Sequence, residues 1–567
     1  MNSKLVTDQS GNRRIDWHDY NFINYEKTRV GPGEMSPYIL NDTKEIEESQ
    51  KLISLEGVSV LKEKVAQIIP RLSSLNNNYI CSCLDKKYLK NLPTVSVIVI
   101  FYNEPLSILL RCVSSIFYRS PRNLLHEIIL VNDNSTKDEL YKTLSSYVEQ
   151  NFDGRVKVYN NPTRLGLIAT RMEGAKLATG EVILFLDSHM EVTTNWLPPL
   201  LDPIVINRRT ATVPTIDSIN HENFKYEPLA DNWNGGDLKN LSNYDLKIEI
   251  RDSTGFDWNL RYHYYVFNEE EYSVPGVNHL LSAMTGGAYA INREYFFELG
   301  GYDTGMFLYN GENYELSFKL QLCGGSLLKV PCSHVGHVSK IKVPYSRQMN
   351  GINHEMRNLR RVVEVWFDEY KFLFYRDHPE RYQIDFGDIS EQVSLRKSLN
   401  CKSFKYYLEV IAPFILDWFP IEKKPHFASG AIQSMANKNF CATEIDDKLN
   451  LVECSENLTN PSSNQYFLLT WKRTLEPNNE YDLCLSLSQF TQCTHRQGDQ
   501  LFRYLLDTQQ IKNPNSDKCL MANFDLNIIT LEKCNSTEVT QKWDFGYKNT
   551  TALRDWHNVG IKLLTNE

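Results

Sequence analysis

No stretch of this chain approaches the roughly 18 consecutive apolar residues that a helix needs to cross a bilayer. The longest candidates, VSVIVIF and VIAPFILDWF, are the size of core elements. Met1 is followed by NSKLVTDQS, which has neither the basic start nor the apolar run of a secretory leader. Basic residues are not in excess either. Lys and Arg number 61 against 70 Asp and Glu, a net charge of -9, which argues against broad binding to nucleic acid or to an anionic membrane. A phosphate ligand would then have to be met by a metal and a few placed cations. Cysteine is not scarce: twelve are present, with six Asn-x-Ser/Thr sequons at Asn41, Asn134, Asn240, Asn457, Asn535 and Asn549, a usage that suits an oxidising, secretory compartment. Composition and N-terminus disagree. The reading adopted is that an anchor has been lost from this chain, because the cysteines pair by spacing.

At 567 residues several domains are expected, at about 100–200 residues each. Residues 1–80 are polar and irregular until IEESQKLISLEGVSVLKEKVAQII, where apolar residues recur at helical spacing up to a stop at Pro70, and are read as a stem. Then VSVIVIFYNE reads as a buried strand, LSILLRCVSSIFYRS as an amphipathic helix, and HEIILVNDNST and GRVKVYNN as two further strands. GLIATRMEGAKLATG reads as a helix and EVILFLD as a fourth strand. This order, strand, helix, strand, strand, helix, strand, predicts an α/β domain with a doubly wound, mostly parallel sheet.

The carboxyl ends of these strands carry the candidate chemistry: Asn103 and Glu104, then Asp133, then Asp187, Ser188 and His189. In open α/β sheets ligands bind in the crevice beyond those ends. Strand side chains alternate between faces, so Asp187 and His189 are expected to leave on one side and to be able to hold a divalent cation. Either His334 or His337 in CSHVGHV would complete a three-ligand set, and mixed carboxylate and imidazole ligands with open positions fit a catalytic manganese-type site. Asp133, alone a common turn residue, could accept hydrogen bonds from a ribose or base. Gly286 and Gly287 either allow a close ligand approach or make a tight turn, and Glu312 opens a helical pattern. The aromatics of GFDWNLRYHYYVF either fill a core or line an acceptor groove.

Near residue 430 the pattern changes. Cys441 with Cys454, Cys484 with Cys493 and Cys519 with Cys534 form three short-loop pairs whose first members recur roughly 40 residues apart, a period that predicts an internal repeat and a threefold β-trefoil.

From DYNFINYEKTRVGPGE onward the segments FYNEP, ILVNDNS, FLDSHMEVTTNWLPPLL, FDWNL, MTGGAYAINREYF, GENYELSF, CSHVGHV, VEVWFDEYK, DFGDIS and LNCKSF follow one another in an order that resembles the polypeptide N-acetylgalactosaminyltransferases. The resemblance covers nearly the whole chain. It implies a GT-A nucleotide-sugar-binding catalytic domain over 81–410, a linker over 411–429 and a ricin B-type lectin domain over 430–567. It further implies transfer of GalNAc from UDP-GalNAc to Ser or Thr of protein acceptors, with retention, with Mn2+, initiating mucin-type O-glycosylation in the Golgi lumen. The membrane anchor usual in that family is absent from this chain, and no nucleic-acid partner is expected. By position the resemblance makes Asp187, His189 and His337 the metal ligands. It puts Ile100, Asp133, Arg164, Ser188, Tyr309 and Lys340 against the nucleotide sugar, Glu312 and Arg171 as catalytic residues beside the transferred sugar, and Tyr345 in a closing loop. It pairs Cys83 with Cys332 and Cys323 with Cys401, leaving Cys81 and Cys112 unassigned. Retention follows either from a covalent intermediate or from attack on the face the leaving group vacates. No carboxylate is marked as a nucleophile, so same-face attack, with UDP helping to deprotonate the acceptor, is the preferred route.

Departures from the family pattern open a second reading, a catalytically weak or inactive member that acts as a binding or modulatory secretory-pathway protein. Tyr309 and Asn310 stand where the family has tryptophan and glycine, Ser339 and Lys340 where it has Phe-Arg, Val343 where it has histidine, and Ala169 where arginine is common. Lysine lacks arginine's two-pronged grip on phosphate, and an asparagine side chain crowds a turn that glycine fits. In the trefoil a remnant Gln-x-Trp ends at Trp543. The triplets Cys-Ala-Thr, Cys-Leu-Ser and Cys-Leu-Met lack the carboxylate of Cys-Leu-Asp that grips paired sugar hydroxyls, so weak or no lectin activity is expected.

Overall fold

The structure, a computed structural model, describes residues 6–7, 11–21, 43–56, 58, 83, 85–227, 253–265, 278–340, 353–422, 424–478, 483–487, 489–493 and 499–556. Tyr345, Val343, Cys81, Asn41 and Asn240 lie outside the described residues. The chain divides between Ala412 and Pro413 into two compact units, with parts of 253–265 grouped with the second. The predicted stem helix, read from Ile46, is helical to Glu56 and begins three residues earlier, at Thr43, while most of its remainder, 57 and 59–70, lies outside the described residues. Among the described residues no helix is long and apolar enough to cross a membrane.

The first unit is built on β1 (Val95–Phe101), α1 (Leu106–Arg119), β2 (Leu125–Asn132), α2 (Lys142–Asn151), β3 (Val156–Asn160), α3 (Leu167–Leu177) and β4 (Val182–Asp187). Then come β5 (Met190–Val192), α4 (Leu197–Ile206), β6 (Thr210–Ile219), β7 (Ala288–Asn292), α5 (Glu312–Leu322), β8 (Ser326–Val338) and α6 (His354–Trp366). One sheet runs β8-β6-β7-β4-β1-β2-β3, with β5 on β8. The pairs β4-β1, β1-β2 and β2-β3 are parallel, as expected from the unbroken apolar runs. On β4, Val182, Leu184 and Leu186 join a core cluster with α1 and α4, while Phe185 packs on Tyr289 and Phe296. Each such fully buried side chain contributes about 1.5–3 kcal/mol.

One expectation is corrected. A helix, α2, separates β2 from β3, because two parallel strands require a crossover; its apolar positions, Leu144 and Val148, are too few to stand out in a polar segment. The sheet is mostly parallel as expected, β8 running parallel to β6 as well, but β7 inserts antiparallel to both β4 and β6.

The second unit holds a 12-stranded sheet whose core includes Phe467, Phe502 and Trp543. Each of these three aromatics ends a Gln-x-aromatic triplet, beginning at Gln465, Gln500 and Gln541, and all three glutamines are buried. The sequence reading found only the third triplet, since it looked for tryptophan. The outer two repeat one geometry. Gln465 donates to the carbonyl of Glu453 and accepts from the Ser455 N–H, both at 2.8 Å, so it brackets Cys454. Gln541 donates to Lys533 O at 2.9 Å and accepts from the Asn535 N–H at 2.8 Å, so it brackets Cys534.

Disulfides join Cys83–Cys332, Cys323–Cys401, Cys441–Cys454, Cys484–Cys493 and Cys519–Cys534. Cys112 is a free, buried thiol.

Candidate functional site

Strand register assembles the site. β1 pairs with β4 so that Ile100 lies beside Asp187, and β8 pairs with β5 so that His337 lies opposite Met190, next to His189. The strand β4 ends at Asp187, and His189 sits in the turn before β5 rather than two places along a strand. Even so, one ligand atom from each of Asp187, His189 and His337 falls within 4.8 Å of the others. The two imidazoles meet edge to face with ring centroids 4.7 Å apart. Gly287 makes room for this group: a Cβ there would lie 3.0 Å from Asp187 Oδ2 and 2.8 Å from the Met190 methyl. His334 turns elsewhere, its Nδ1 2.8 Å from Asp217 Oδ2.

These residues open onto a cavity of about 350 Å³ that Ile100, Asp133, Arg164, Arg171, Ser188, Tyr309, Glu312 and Lys340 also line. The metal, substrate and catalytic residues that the resemblance names within the described part of the chain therefore meet at one cavity, whereas the candidates Asn103 and His334 do not line it. Burial and the neighbouring His189 push the His337 imidazole down to about 4, so it is neutral and able to ligate at physiological pH. Arg171 is buried, with Nη2 2.9 Å from Asp187 Oδ1 and Nη1 3.7 Å from Glu312 Oε1. Burial raises the Glu312 carboxyl above its ordinary value, partly offset by Arg171, and Glu312 Oε2 has no hydrogen-bond partner among the described residues. Arg164 lays its guanidinium 4.0 Å from the centre of the Tyr102 ring.

Two features add to the sequence reading. The Asp133 carboxylate also accepts hydrogen bonds from within the protein. Oδ1 accepts from the Leu165 N–H at 2.7 Å, the Thr170 hydroxyl at 2.9 Å and Asn161 Nδ2 at 3.2 Å, and Oδ2 accepts from the Gly166 N–H at 2.8 Å. Three donors meet Oδ1 and one meets Oδ2, so Asp133 fixes the loop leading into α3 while lining the cavity. The second feature is Glu104, noted in the sequence only as a strand-end residue. It is buried and accepts from Ser188 Oγ at 2.7 Å and from Lys340 Nζ at 2.5 and 2.7 Å, and it faces His189 Nδ1 at 3.1 Å. Burial opposes its ionisation, but the Lys340 ammonium and His189 outweigh it and hold the carboxyl far below the usual range. Its partners are 84 to 236 residues away in sequence, so no local signal marks its role.

The departures at the far wall are accommodated. Asn310 has φ 75, a left-handed conformation that asparagine tolerates better than most residues, and Gly311 follows at φ 93. Asn358 Nδ2 donates to the Asn310 carbonyl at 2.9 Å, and the Tyr309 hydroxyl donates to Glu355 Oε1 at 2.6 Å. Trp258, in the aromatic segment, is buried against Phe367 and fills a core.

Residues 96–265 match the glycosyl transferase family 2 model and residues 428–555 the ricin-type beta-trefoil lectin domain model. The chain is 36% identical over 557 residues to N-acetylgalactosaminyltransferase 6 of Drosophila melanogaster, covering 95% of this chain and 80% of that protein. It is 35% identical over 564 residues to polypeptide N-acetylgalactosaminyltransferase 10 of Homo sapiens, covering 96% and 89%. The crystal structure of GalNAc-T7 with UDP, GalNAc and Mn2+ matches with a TM-score of 0.62 and 32% identity, over 91% of this chain and 92% of that one.

Proposed function

Because the chain belongs to the polypeptide N-acetylgalactosaminyltransferase family, we propose that its cavity holds UDP-GalNAc, with the sugar presented to the hydroxyl of a Ser or Thr in a protein acceptor. It is a glycosyltransferase that moves N-acetylgalactosamine from UDP-GalNAc to protein. Retention of configuration, initiation of mucin-type chains and residence in the Golgi lumen are our reading of the same kinship. The observation that carries the site assignment is the convergence of Asp187, His189 and His337 at the mouth of β4.

The donor set fits a divalent cation. One carboxylate and two imidazoles, one of them held neutral, form an open three-ligand group beside a buried cationic side chain. Mn2+ bound there would neutralise charge developing on the departing diphosphate. Arg171 orients Asp187 through its 2.9 Å bond and places a fixed positive charge between Asp187 and Glu312. Arg164, stacked on Tyr102, is available for the nucleotide, and Lys340 for a phosphate oxygen.

Of the four cavity carboxylates, Asp133 holds the loop before α3, Glu104 is committed to Lys340 and Ser188, and Asp187 is engaged by Arg171 and assigned to the metal. Glu312 keeps a buried oxygen without a partner among the described residues, but its other oxygen faces the Arg171 guanidinium at 3.7 Å, which draws charge from it and makes it a poor nucleophile. We therefore infer same-face attack. The C1–O bond to the β-phosphate breaks, the acceptor oxygen bonds to C1 on that face, and the acceptor proton passes to the departing phosphate oxygen. Turnover of UDP-GalNAc on a panel of Ser/Thr peptides, with and without Mn2+, tests the reading. Metal-dependent GalNAc-peptide with an α linkage is expected. An inverted product refutes retention, and no transfer despite intact folding and UDP binding favours the non-enzymatic reading.

A further inference from the structure

We propose that Glu355, which does not line the cavity, is a positioning residue for UDP-GalNAc: through the phenol hydroxyl it holds the Tyr309 ring in a wall that Asn358 shapes. The inference rests on the donor reading above and assigns a function to the first turns of α6.

The wall is the segment Phe307–Gly311 that leads into Glu312. Its backbone does not take this path unaided. Leu308 has φ 53, Asn310 φ 75 and Gly311 φ 93, and a left-handed conformation is disfavoured for leucine. Such a path persists where surrounding contacts dictate it. Here one fully buried side chain does most of this. Asn358 Nδ2 donates to the carbonyls of Phe307 at 2.8 Å, Tyr309 at 3.0 Å and Asn310 at 2.9 Å, while its Oδ1 accepts from the Phe307 N–H at 2.9 Å. On the other side the Leu308 carbonyl accepts from the Ile168 N–H at 3.2 Å, tying the wall to the start of α3.

These bonds fix the backbone and leave the Tyr309 ring to its own contacts. Its hydroxyl donates to Glu355 Oε1 at 2.6 Å, and its ring meets the His354 ring edge to face at 5.5 Å. Glu355 and Asn358, three residues apart, share one face of α6, so a single rigid helix sets both backbone and ring. Tyr309 lines the cavity three residues before Glu312, on the side assigned to the transferred sugar, whereas Arg164 and Tyr102 serve the nucleotide. The Tyr309–Glu355 bond should therefore act on recognition of the sugar and leave UDP alone.

The test is calorimetric titration of UDP and of UDP-GalNAc, with Mn2+, into wild type, Glu355→Ala, Glu355→Gln, Tyr309→Phe and the double variant Tyr309→Phe/Glu355→Ala. Loss of one hydrogen bond to a charged acceptor is expected to weaken UDP-GalNAc binding by about 3- to 30-fold in Glu355→Ala and in Tyr309→Phe, with UDP affinity within about twofold of wild type. Glu355→Gln keeps an acceptor oxygen and should recover most of the loss. The double variant should bind no more weakly than the weaker single, since both remove the same bond. Wild-type affinity for UDP-GalNAc in Glu355→Ala overturns the inference alone, as does a parallel loss of UDP binding or a double variant whose defect is the product of the singles. A wild type that binds UDP and not UDP-GalNAc overturns this inference together with the donor reading.

Discussion

Glu104→Gln removes a carboxylate already committed to protein partners, and its effect on the metal can be worked out in advance. The carboxylate faces His189 Nδ1 at 3.1 Å and takes Ser188 Oγ at 2.7 Å and Lys340 Nζ at 2.5 and 2.7 Å. A carboxylate on Nδ1 favours the tautomer with its proton there, which leaves Nε2 with the lone pair that a metal requires. Outer partners of ligating histidines typically contribute about 10- to 100-fold in metal affinity, so Glu104→Gln should weaken Mn2+ binding by that order. It also strands Lys340, whose side chain is only 6% exposed, and breaking a buried ion pair costs about 3–5 kcal/mol. Stability and metal affinity are separated by the double variant Glu104→Gln/Lys340→Met, which removes the stranded charge. Thermal stability should return towards wild type while the Mn2+ defect, followed by the electron paramagnetic resonance of free Mn2+, remains. If Glu104→Gln binds Mn2+ as wild type does, or if the second substitution restores the metal along with the fold, the reasoning is wrong.

Asp187→Ala and His337→Ala should each abolish Mn2+-dependent UDP binding, His337→Ala with the thermal transition close to wild type and Asp187→Ala with a lower one, since it removes the 2.9 Å partner of buried Arg171; full metal-dependent binding in either would remove that residue from the ligand set. Glu127 accepts from Ser96, from the Thr179 N–H and hydroxyl and from Lys157, and these outweigh burial to hold its carboxyl down at about 2. Its stabilising contribution is present above the unfolded value near 4.5 and is lost as pH falls towards 2. Glu127→Gln should therefore cost about 1–3 kcal/mol by urea unfolding at pH 7, with the gap to wild type narrowing towards pH 3. In the trefoil, Thr443 takes the carboxylate position of the first repeat but is buried and accepts from Gln465 Nε2 at 2.9 Å, so free GalNAc should bind no more tightly than roughly millimolar. A micromolar dissociation constant by NMR titration would contradict this.

The elements legible in the sequence were those whose signal is local. Five apolar residues ending at an aspartate define β4 without knowledge of its neighbours, and short-range cysteine spacing marks the trefoil repeats. The antiparallel β7 was not legible, because AYAI reads the same whichever way its partners run. The carboxylate that sets His189 was seen at its strand end but given no role, since Ser188, His189 and Lys340 reach it only after the sheet has formed. Asp133 shows the same limit from another side. A strand-end acid was expected to face a nucleotide; it lines the cavity, and the backbone N–H groups of Leu165 and Gly166, which no local signal marks, also bond its oxygens.

The same argument bears on the residues that depart from the family pattern. Read one at a time, Tyr309, Asn310 and Lys340 look like losses of stacking, of turn freedom and of phosphate grip. In the fold each has an engagement of its own: Tyr309 with Glu355, Asn310 through its carbonyl with Asn358, and Lys340 with Glu104. The first two tie the wall to α6. The third bears on catalysis, because a diphosphate entering the cavity must draw on an ammonium that Glu104 already holds with two hydrogen bonds. An arginine in that position could bind the carboxylate and a phosphate oxygen together, since it carries five donors in a rigid fork, whereas the three donors of lysine share a single point charge. On the proposed assignment the donor site keeps its three metal ligands and is weakest at Lys340, where one cation would serve two anions.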